Sequence, residues 1–486
     1  MNLRLLTRMP AILILVCFCI SCSTSSAPQL RAGAAAVDIT PTVWPLPLIG
    51  NFSFRPAESA HDPLHVRAIA LDDGETQLAI AVVDSCYVQR DVLDDAKQRA
   101  SERTGIPTTN MLVSATHTHS APPAKARYGT RGEETQDLSD NEEKYSEQLR
   151  AGIAEAISRA YESRVAAEVG WGAAELAEEL SNRRWFKKEG TIPPDPFGGT
   201  TDTVQMNPGR DDLIKPAGPV DPEISVLSVR TAEGKPLALL ANYSLHYVGG
   251  ITGNQVSADY FGEFGKLIKE KLTAEGADPG FVGILSNGTS GDVNNIDFTG
   301  TRPKREPFEQ IRIVAGKVAD KSYEAYRSIE HRSDLTLAMA ERILTLDRRK
   351  PAAEGYEQAK KVLTVEDEST LPRRAKPYAR RAIELYEGPD TVDVKLQAIR
   401  IGSLGIAAIP FETFTEIGLE IKEKSPLKPA FTIELANGGE GYLPTPGQHE
   451  LGGYETWLGT NRVEKQASVK ITKTLLELLN EISAAD

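Results

Sequence analysis

Met111-Leu112-Val113-Ser114-Ala115-Thr116-His117-Thr118-His119-Ser120-Ala121-Pro122 joins a short apolar run to two of the chain's seven histidines. Residues 111–115 read as a buried strand, and along a strand residues i and i+2 point to the same side. Both imidazoles are therefore expected to face one point in space. Neutral imidazole is the commonest protein ligand for zinc, and a strand end holds it rigidly where a loop leaves room for substrate.

Outward from this stretch, strand, turn and helix signals alternate. Residues 66–71, the turn Asp72-Asp73-Gly74 and residues 77–83 read as a hairpin. Residues 90–104 are periodic and stop at Gly105, as a helix ended by a C-terminal glycine does. Further helices are predicted over 141–163, 260–274 and 465–482, and strands over 166–171, 224–229, 237–243, 281–285, 394–401 and 404–409. Residues 182–217, rich in Pro, Gly and Asp and carrying Arg183, Arg184 and Trp185, read as a long loop of the kind that lines a site. From about 348 to 390 charges alternate with few large apolar residues, which predicts a solvated helical excursion. These signals give an α/β fold: one domain over 31–486 with a mixed β-sheet core flanked by helices. Apolar runs lead repeatedly into a polar residue, namely Asp84, His117, His246, Asp292 and Glu412. Ligand sites in α/β proteins gather at the carboxyl ends of strands, so the expectation is one metal site built from several strand ends.

Composition narrows the partners. With 486 residues, 40% hydrophobic and 25% charged, the chain is ordinary for a globular protein. Its 55 Lys+Arg against 68 Asp+Glu leave a net charge of −13 without a long basic run, which argues against nucleic acid. Residues 1–21 are expected to be removed: Arg4 and Arg8 form a positive region, 11–20 is a short apolar core, and Cys22 follows. The pattern resembles a bacterial lipoprotein signal, with a lipid placed on Cys22 and residues 22–30 as a linker; an ordinary secretory signal cut near Ala27 is the other reading. Both export the protein, either to the cell envelope (periplasm or outer membrane) as a lipoprotein or into the medium. Of four cysteines, only Cys86 lies in the body of the chain, where it reads as a small buried hydrophobe.

A catalytic zinc site takes about three protein ligands and keeps one open position. His117 and His246 offer nitrogen and Glu412 oxygen. A His-x-His pair also occurs in amidohydrolase barrels and metallo-β-lactamase folds, but the lactamase pattern continues to Asp-His, where this chain has Ser120-Ala121, and the barrel pattern needs two further histidines and an aspartate downstream.

Thr116-His117-Thr118-His119-Ser120 resembles the zinc motif of the neutral, non-lysosomal ceramidases, and further motifs recur in the same order: Asn182-Arg183, residues 242–246 ending in His246, Gly291-Asp292-Val293-Asn294, Pro410-Phe411-Glu412 and Gly441-Tyr442-Leu443-Pro444-Thr445. The resemblance runs from about Gly33 to the end of the chain. It implies one zinc ion per chain held by His117, His246, Glu412 and Tyr442, with His119, Arg183 and Tyr442 as catalytic residues that contact substrate and the developing oxyanion. It further implies an exported zinc-dependent amide hydrolase that uses zinc-bound water to cleave ceramide or a related N-acyl lipid to fatty acid and amine. Three departures accompany it. The family's functional serine after Gly-Asp-Val is Asn294 here, with Ser286 or Ser290 as the available substitutes. The family's Glu-Glu-Tyr run is replaced by Gly447-Gln448-His449-Glu450, while Tyr454-Glu455 matches its later Tyr-Glu. The family's C-terminal immunoglobulin-like domain is expected to be missing, the helix over 465–482 closing the fold. Two other readings stay open: a zinc hydrolase of another amide or ester (an N-acyl sugar, amino acid or cyclic amide), and a non-catalytic surface binding lipoprotein on the same fold.

Each candidate also has a plain structural reading. Glu412 can open a helix over 412–424, where an acid suits the N-terminal dipole. Tyr442 can be a buried aromatic, Arg183 a partner for a carboxylate, and Asp292 a brace for its glycine-rich loop. His61, His65 and His331 read as structural or exposed, and His449 as a residue that enters the site.

Overall fold

Alternate residues of the central strands face two different cores, which is why their runs are apolar almost without interruption. The computed structural model describes residues 30–50, 56–125, 136–300 and 304–484. The expected signal over 1–21 and Cys22 lie outside the described residues. Among the described residues no helix is long and apolar enough to cross a membrane.

Twelve strands carry the architecture. β1 (Arg31–Asp38), β2 (His65–Asp72), β3 (Gln77–Val83), β4 (Met111–Ala115), β5 (Val165–Glu175), β6 (Glu223–Thr231), β7 (Pro236–Tyr243) and β8 (Val282–Asn287) form an eight-stranded sheet in the order β8-β7-β6-β5-β1-β2-β3-β4. β9 (Leu337–Asp347), β10 (Thr391–Ile401), β11 (Leu404–Ile409) and β12 (Ala430–Glu434) form a four-stranded sheet in chain order. The helices are α1 (Arg90–Thr104), α2 (Gln136–Glu162), α3 (Asp259–Thr273), α4 (Glu309–Arg327), α5 (Ala353–Leu363), α6 (Ala375–Glu387), α7 (Thr415–Lys424) and α8 (Ala467–Ser483).

The sheets pack face to face: Ile69, Leu71, Ile80 and Val82 of the large sheet meet Ile399, Ile406, Phe431 and Ile433 of the small one. The opposite residues of the same strands, such as Val66, Ala68, Ala79 and Val83, pack under α1 and α2. At the other end of the large sheet Val226, Leu239 and Leu285 pack on Phe264 of α3 and Val314 of α4. Leu396 and Ala407 of the small sheet pack on Ile417 of α7 and Leu475 of α8. The layers thus run helix, sheet, sheet, helix, and each fully buried Leu or Ile contributes about 1.5–3 kcal/mol.

Three strand–helix–strand units position the site. β3-α1-β4, β7-α3-β8 and β11-α7-β12 each join parallel neighbours through one helix. A parallel pair leaves both carboxyl ends at the same edge, and these three edges meet. The two sheets are also tied together there: Ala115 N–H donates to Leu435 O at 3.1 Å, and Asn437 N–H to Val113 O at 2.9 Å.

Several sequence expectations need adjusting. The hairpin over 66–83 is present as β2 and β3, and α1 ends at Gly105 with φ 79° and its N–H on Ser101 O. The second helix starts earlier than 141, at Gln136. Residues 182–217 are not a plain loop but carry a three-stranded sheet, with Arg184–Lys187 between Val204–Met206 and Leu213–Pro216. Trp185 and Phe186 supply the β-forming centre, pairing with Gln205 and Val204. Within 348–390, α5 and α6 pack on each other through Ala359, Ala379 and Ala382.

Candidate metal centre

His117 leaves the end of β4 with φ 71°, a left-handed conformation uncommon outside glycine. Its N–H donates to Ser85 O at 2.8 Å, so the turn is held by the end of the neighbouring parallel strand. The ring is buried, and Nδ1 donates to Cys86 O at 2.7 Å. A carbonyl only accepts, so this bond fixes the tautomer and leaves Nε2 with a lone pair. His246 follows β7 and repeats the arrangement: Nδ1 donates to Ser290 O at 3.1 Å, with Ser290 Oγ 3.3 Å away.

The two Nε2 atoms lie 3.0 Å apart. Glu412 Oε2 is 3.3 Å from His117 Nε2 and 3.8 Å from His246 Nε2, and it is buried without a hydrogen-bond donor. Two imidazole nitrogens and a carboxylate oxygen converging on one point are the donor set that zinc takes, so these residues fit a metal ion. Among the described residues a second group, Cys86, His117 and His119, also falls within 4.8 Å. It is the poorer candidate, because the His117 nitrogen near Cys86 Sγ is the one committed to Cys86 O.

Glu412 lies ahead of α7, which begins only at Thr415 behind the N-cap Phe414, so the carboxylate does not serve that helix's first turn. It sits instead in a short parallel pair with Tyr442, and the Tyr442 hydroxyl hydrogen-bonds its carboxylate. Burial works against a charge on Glu412, but His117, Tyr442 and Arg183 outweigh it and hold the carboxyl below its ordinary range. Burial likewise opposes a proton on His117, yet Cys86 and Glu412 favour one strongly enough to leave its pKa raised. Burial and the charges of His117 and Arg183 push both His119 and His246 well down.

His119 Nε2 stands 3.1 Å from His117 Nε2. Its ring stacks on Tyr247 with centroids 3.7 Å apart. On another side it meets Gly50, which has φ +86° and where a Cβ would lie 2.5 Å from the ring. Only glycine fits that backbone and that approach.

Arg183 is buried behind Tyr442, with Cζ 5.3 Å from the ring centroid. Its Nε donates to Glu455 Oε1 at 3.0 Å, while Arg184 Nη1 takes Glu455 Oε2 at 2.7 Å. Arg183 Nη2 is buried and has no hydrogen-bond partner among the described residues. Burial pushes Tyr442 well above the ordinary phenol range, so its hydroxyl keeps its proton.

The other candidates are committed elsewhere. Asp84 forms a buried pair with Arg67 at 2.8 Å. Asp292 accepts from Asn182 Nδ2 at 2.8 Å and from Thr415 N and Oγ1 at 2.9 Å, bracing its loop. Gly291 in that loop donates to Thr413 O, and a Cβ there would sit 2.6 Å from Glu412 O. Asn294 donates to Asn207 Oδ1 at 2.6 Å. Ser286 bonds within the sheet to Ala241 O and Asn242, and Ser290 lies on the Nδ1 side of His246, away from the converging Nε2 atoms. His61 stacks on Phe308, His331 bonds Ser228, and His449 lies beside Arg184, Arg349 and Lys465 rather than in the histidine cluster.

Sequence reading missed Gly50, Tyr247 and above all Glu434. Glu434 ends the apolar strand β12 and is fully buried, and burial pushes its carboxyl up to about 8. An acid closing an apolar run is the same signal that singled out Asp84, Asp292 and Glu412.

The description "Neutral/alkaline non-lysosomal ceramidase, N-terminal" matches residues 30–304, more than half of the chain. The fold is similar to the crystal structure of the neutral ceramidase from Pseudomonas aeruginosa and to a structure of a ceramidase complexed with C2. Each is 18% identical with a TM-score of 0.68, over 94% of this chain and 75% of the other. No match was found among curated proteins.

Proposed function

The chain belongs to the neutral/alkaline non-lysosomal ceramidase family, and from that premise we propose that it is a zinc-dependent hydrolase cleaving the amide bond of ceramide or a related N-acyl lipid. The observation that carries this reading is the convergence of His117 Nε2, His246 Nε2 and Glu412 Oε2, each within 3.8 Å of the others. His117, His246 and Glu412 would hold the ion, with Tyr442 completing the set or steadying Glu412 through its hydroxyl. Zinc, when bound, polarises the amide carbonyl and lowers the pKa of coordinated water to about 7.

The chain's own residues do the rest. His119 Nε2 lies 3.1 Å from His117 Nε2, which places it to take the proton of the attacking water and deliver it to the departing amine. The ring is fixed for that transfer between Gly50 and Tyr247. Arg183 brings a fixed positive charge and a free Nη2 donor, and Tyr442 a hydroxyl, to the oxygen of the carbonyl as it becomes an oxyanion. The proposal includes export, with residues 1–21 as a lipoprotein signal and Cys22 as the lipid-bearing residue in the cell envelope.

The test is a panel of N-acyl substrates, ceramide included, assayed with and without a chelator alongside metal analysis. About one zinc per chain and chelator-sensitive release of fatty acid from ceramide are expected. A folded protein that takes up no zinc overturns the reading, and chelator-sensitive cleavage of a different amide alone reassigns the substrate.

A further inference from the structure

Glu434 lies behind the three acceptors, at the end of β12. Its Oε1 accepts from Ser290 Oγ at 2.6 Å, and Ser290 Oγ is in turn 3.3 Å from His246 Nδ1. Its Oε2 accepts from Thr413 N at 2.6 Å, one residue beyond Glu412, and from Ser290 N at 3.3 Å. One carboxylate therefore holds the segment that orients His246 and the segment that carries Glu412. These segments come from different strand–helix–strand units, and Gly291 N–H on Thr413 O at 2.8 Å is the neighbouring bond between them.

We propose that Glu434 is a positioning residue of the metal centre, acting through Ser290 on His246 and through Thr413 on Glu412. The inference rests on the metal reading above. Its physical content is a hydrogen-bond relay. The Ser290 hydroxyl donates its hydrogen bond to Glu434, so an Oγ lone pair faces the His246 Nδ1–H and joins the Ser290 carbonyl in holding that ring with Nε2 aimed at the ion. Partners of this kind behind a ligating histidine typically change metal affinity by about 10–100-fold when altered. Ser290 thereby has a role unlike that of a nucleophile: it orders a histidine from behind.

Glu434→Gln distinguishes this relay from a merely structural buried acid. At pH 9, above its raised carboxyl pKa of about 8, Glu434 is ionised and accepts at both oxygens. A glutamine has one acceptor and one donor end, so at that pH it can satisfy Thr413 N or Ser290 Oγ–H in the original sense, but not both. Zinc affinity, measured by competition with a chromogenic chelator, is expected to fall about 10–100-fold in Glu434→Gln. Ser290→Ala removes the relay while retaining the Ser290 carbonyl. In the Ser290→Ala background, the part of the Glu434→Gln loss that passes through the relay should vanish, giving a non-additive double-mutant cycle. NMR of the metal-free protein supplies a readout independent of loading. The His246 Nδ1–H resonance is expected to shift in Glu434→Gln as its second acceptor, Ser290 Oγ, turns away, while the Ser290 carbonyl keeps its bond.

Wild-type affinity in Glu434→Gln, additive losses in the cycle, or an unchanged His246 Nδ1–H resonance would each overturn the proposal. A folded wild type that binds no zinc overturns the metal reading itself and this inference with it, and is recognised by that control alone. If Glu434→Gln does not fold, Ser290→Ala carries the test: unchanged zinc affinity and an unchanged His246 Nδ1–H resonance in that variant overturn the relay.

Discussion

His117 Nε2 and His246 Nε2 lie 3.0 Å apart although the other nitrogen of each ring already donates to a backbone carbonyl. Both Nε2 atoms are thereby turned to one point, so removal of either ring removes one of the three groups a cation would meet. His117→Ala is expected to lose bound zinc and activity together, and His119→Ala to keep about one zinc per chain while turnover falls by about 10²–10⁴-fold. Metal analysis of the two purified variants checks the division; equal loss of zinc in both would make His119 a ligand.

A proton competes with the ion for the same site. The pKa of His117 is raised by Cys86 and Glu412 against the opposing effect of burial, and the ion binds only the unprotonated ring. Zinc affinity should therefore fall by about tenfold for each pH unit below that pKa, and level off above it. Chelator competition across pH 5–9 measures the slope, and a flat profile would remove His117 from the ligand set.

Gly50 offers a test of the catalytic geometry that leaves the ligands alone. In Gly50→Ala the Cβ meets the His119 ring at 2.5 Å, and the left-handed backbone costs about 1–2 kcal/mol more. Displacing the imidazole by about 1 Å is expected to lower kcat roughly 10²-fold with zinc content unchanged. Normal kcat in a folded variant would show that the ring has room to move.

Glu455 stands between two buried arginines, 3.0 Å from Arg183 Nε and 2.7 Å from Arg184 Nη1. Glu455→Ala leaves both cations without it, and a loss of about 3–5 kcal/mol is expected in denaturant unfolding. A change below about 1 kcal/mol would mean that the arginines find other partners.

His449 gives a stability signature in acid. Burial and the nearby Arg349, Lys465 and Arg184 lower its pKa to about 3. Below about pH 6.5 the unfolded chain takes up a proton that the folded ring refuses, so this group's contribution to stability falls as the pH drops from 6.5 toward 3. His449→Gln should lose less stability over that window than the wild type, seen as converging thermal-unfolding midpoints between pH 7 and 4. Parallel curves would refute it.

Much of this arrangement was legible in the chain because both sheets are buried on two faces. Strands such as 77–83 stand out as apolar runs, and His117, His246 and Glu412 stand out as the polar residues that end or follow such runs. Gly105 marked the end of α1 because few other residues adopt φ 79° there. What stayed hidden depends on contacts between distant segments. The acceptors that fix the histidine tautomers are the carbonyls of Cys86 and Ser290, and a carbonyl belongs to every residue alike. Gly50 looks like any turn glycine until His119 is seen against it. Residues 182–217 read as a loop because Pro, Gly and Asp outweigh the short β-forming run at Trp185 and Phe186, whose partner strands lie beyond the range of any local pattern.

Each strand–helix–strand unit contributes one of the three converging acceptors, and His117 and His246 alone are separated by 129 residues. No contiguous third of the chain can build the centre, so the ability to hold an ion appears only once both sheets have docked. Loading would then follow docking of the units, and a chain trapped with one unit undocked would be metal-free however much secondary structure it had formed. Bound metal would report completed assembly from within the molecule, a checkpoint that spectroscopic helix or sheet content cannot provide.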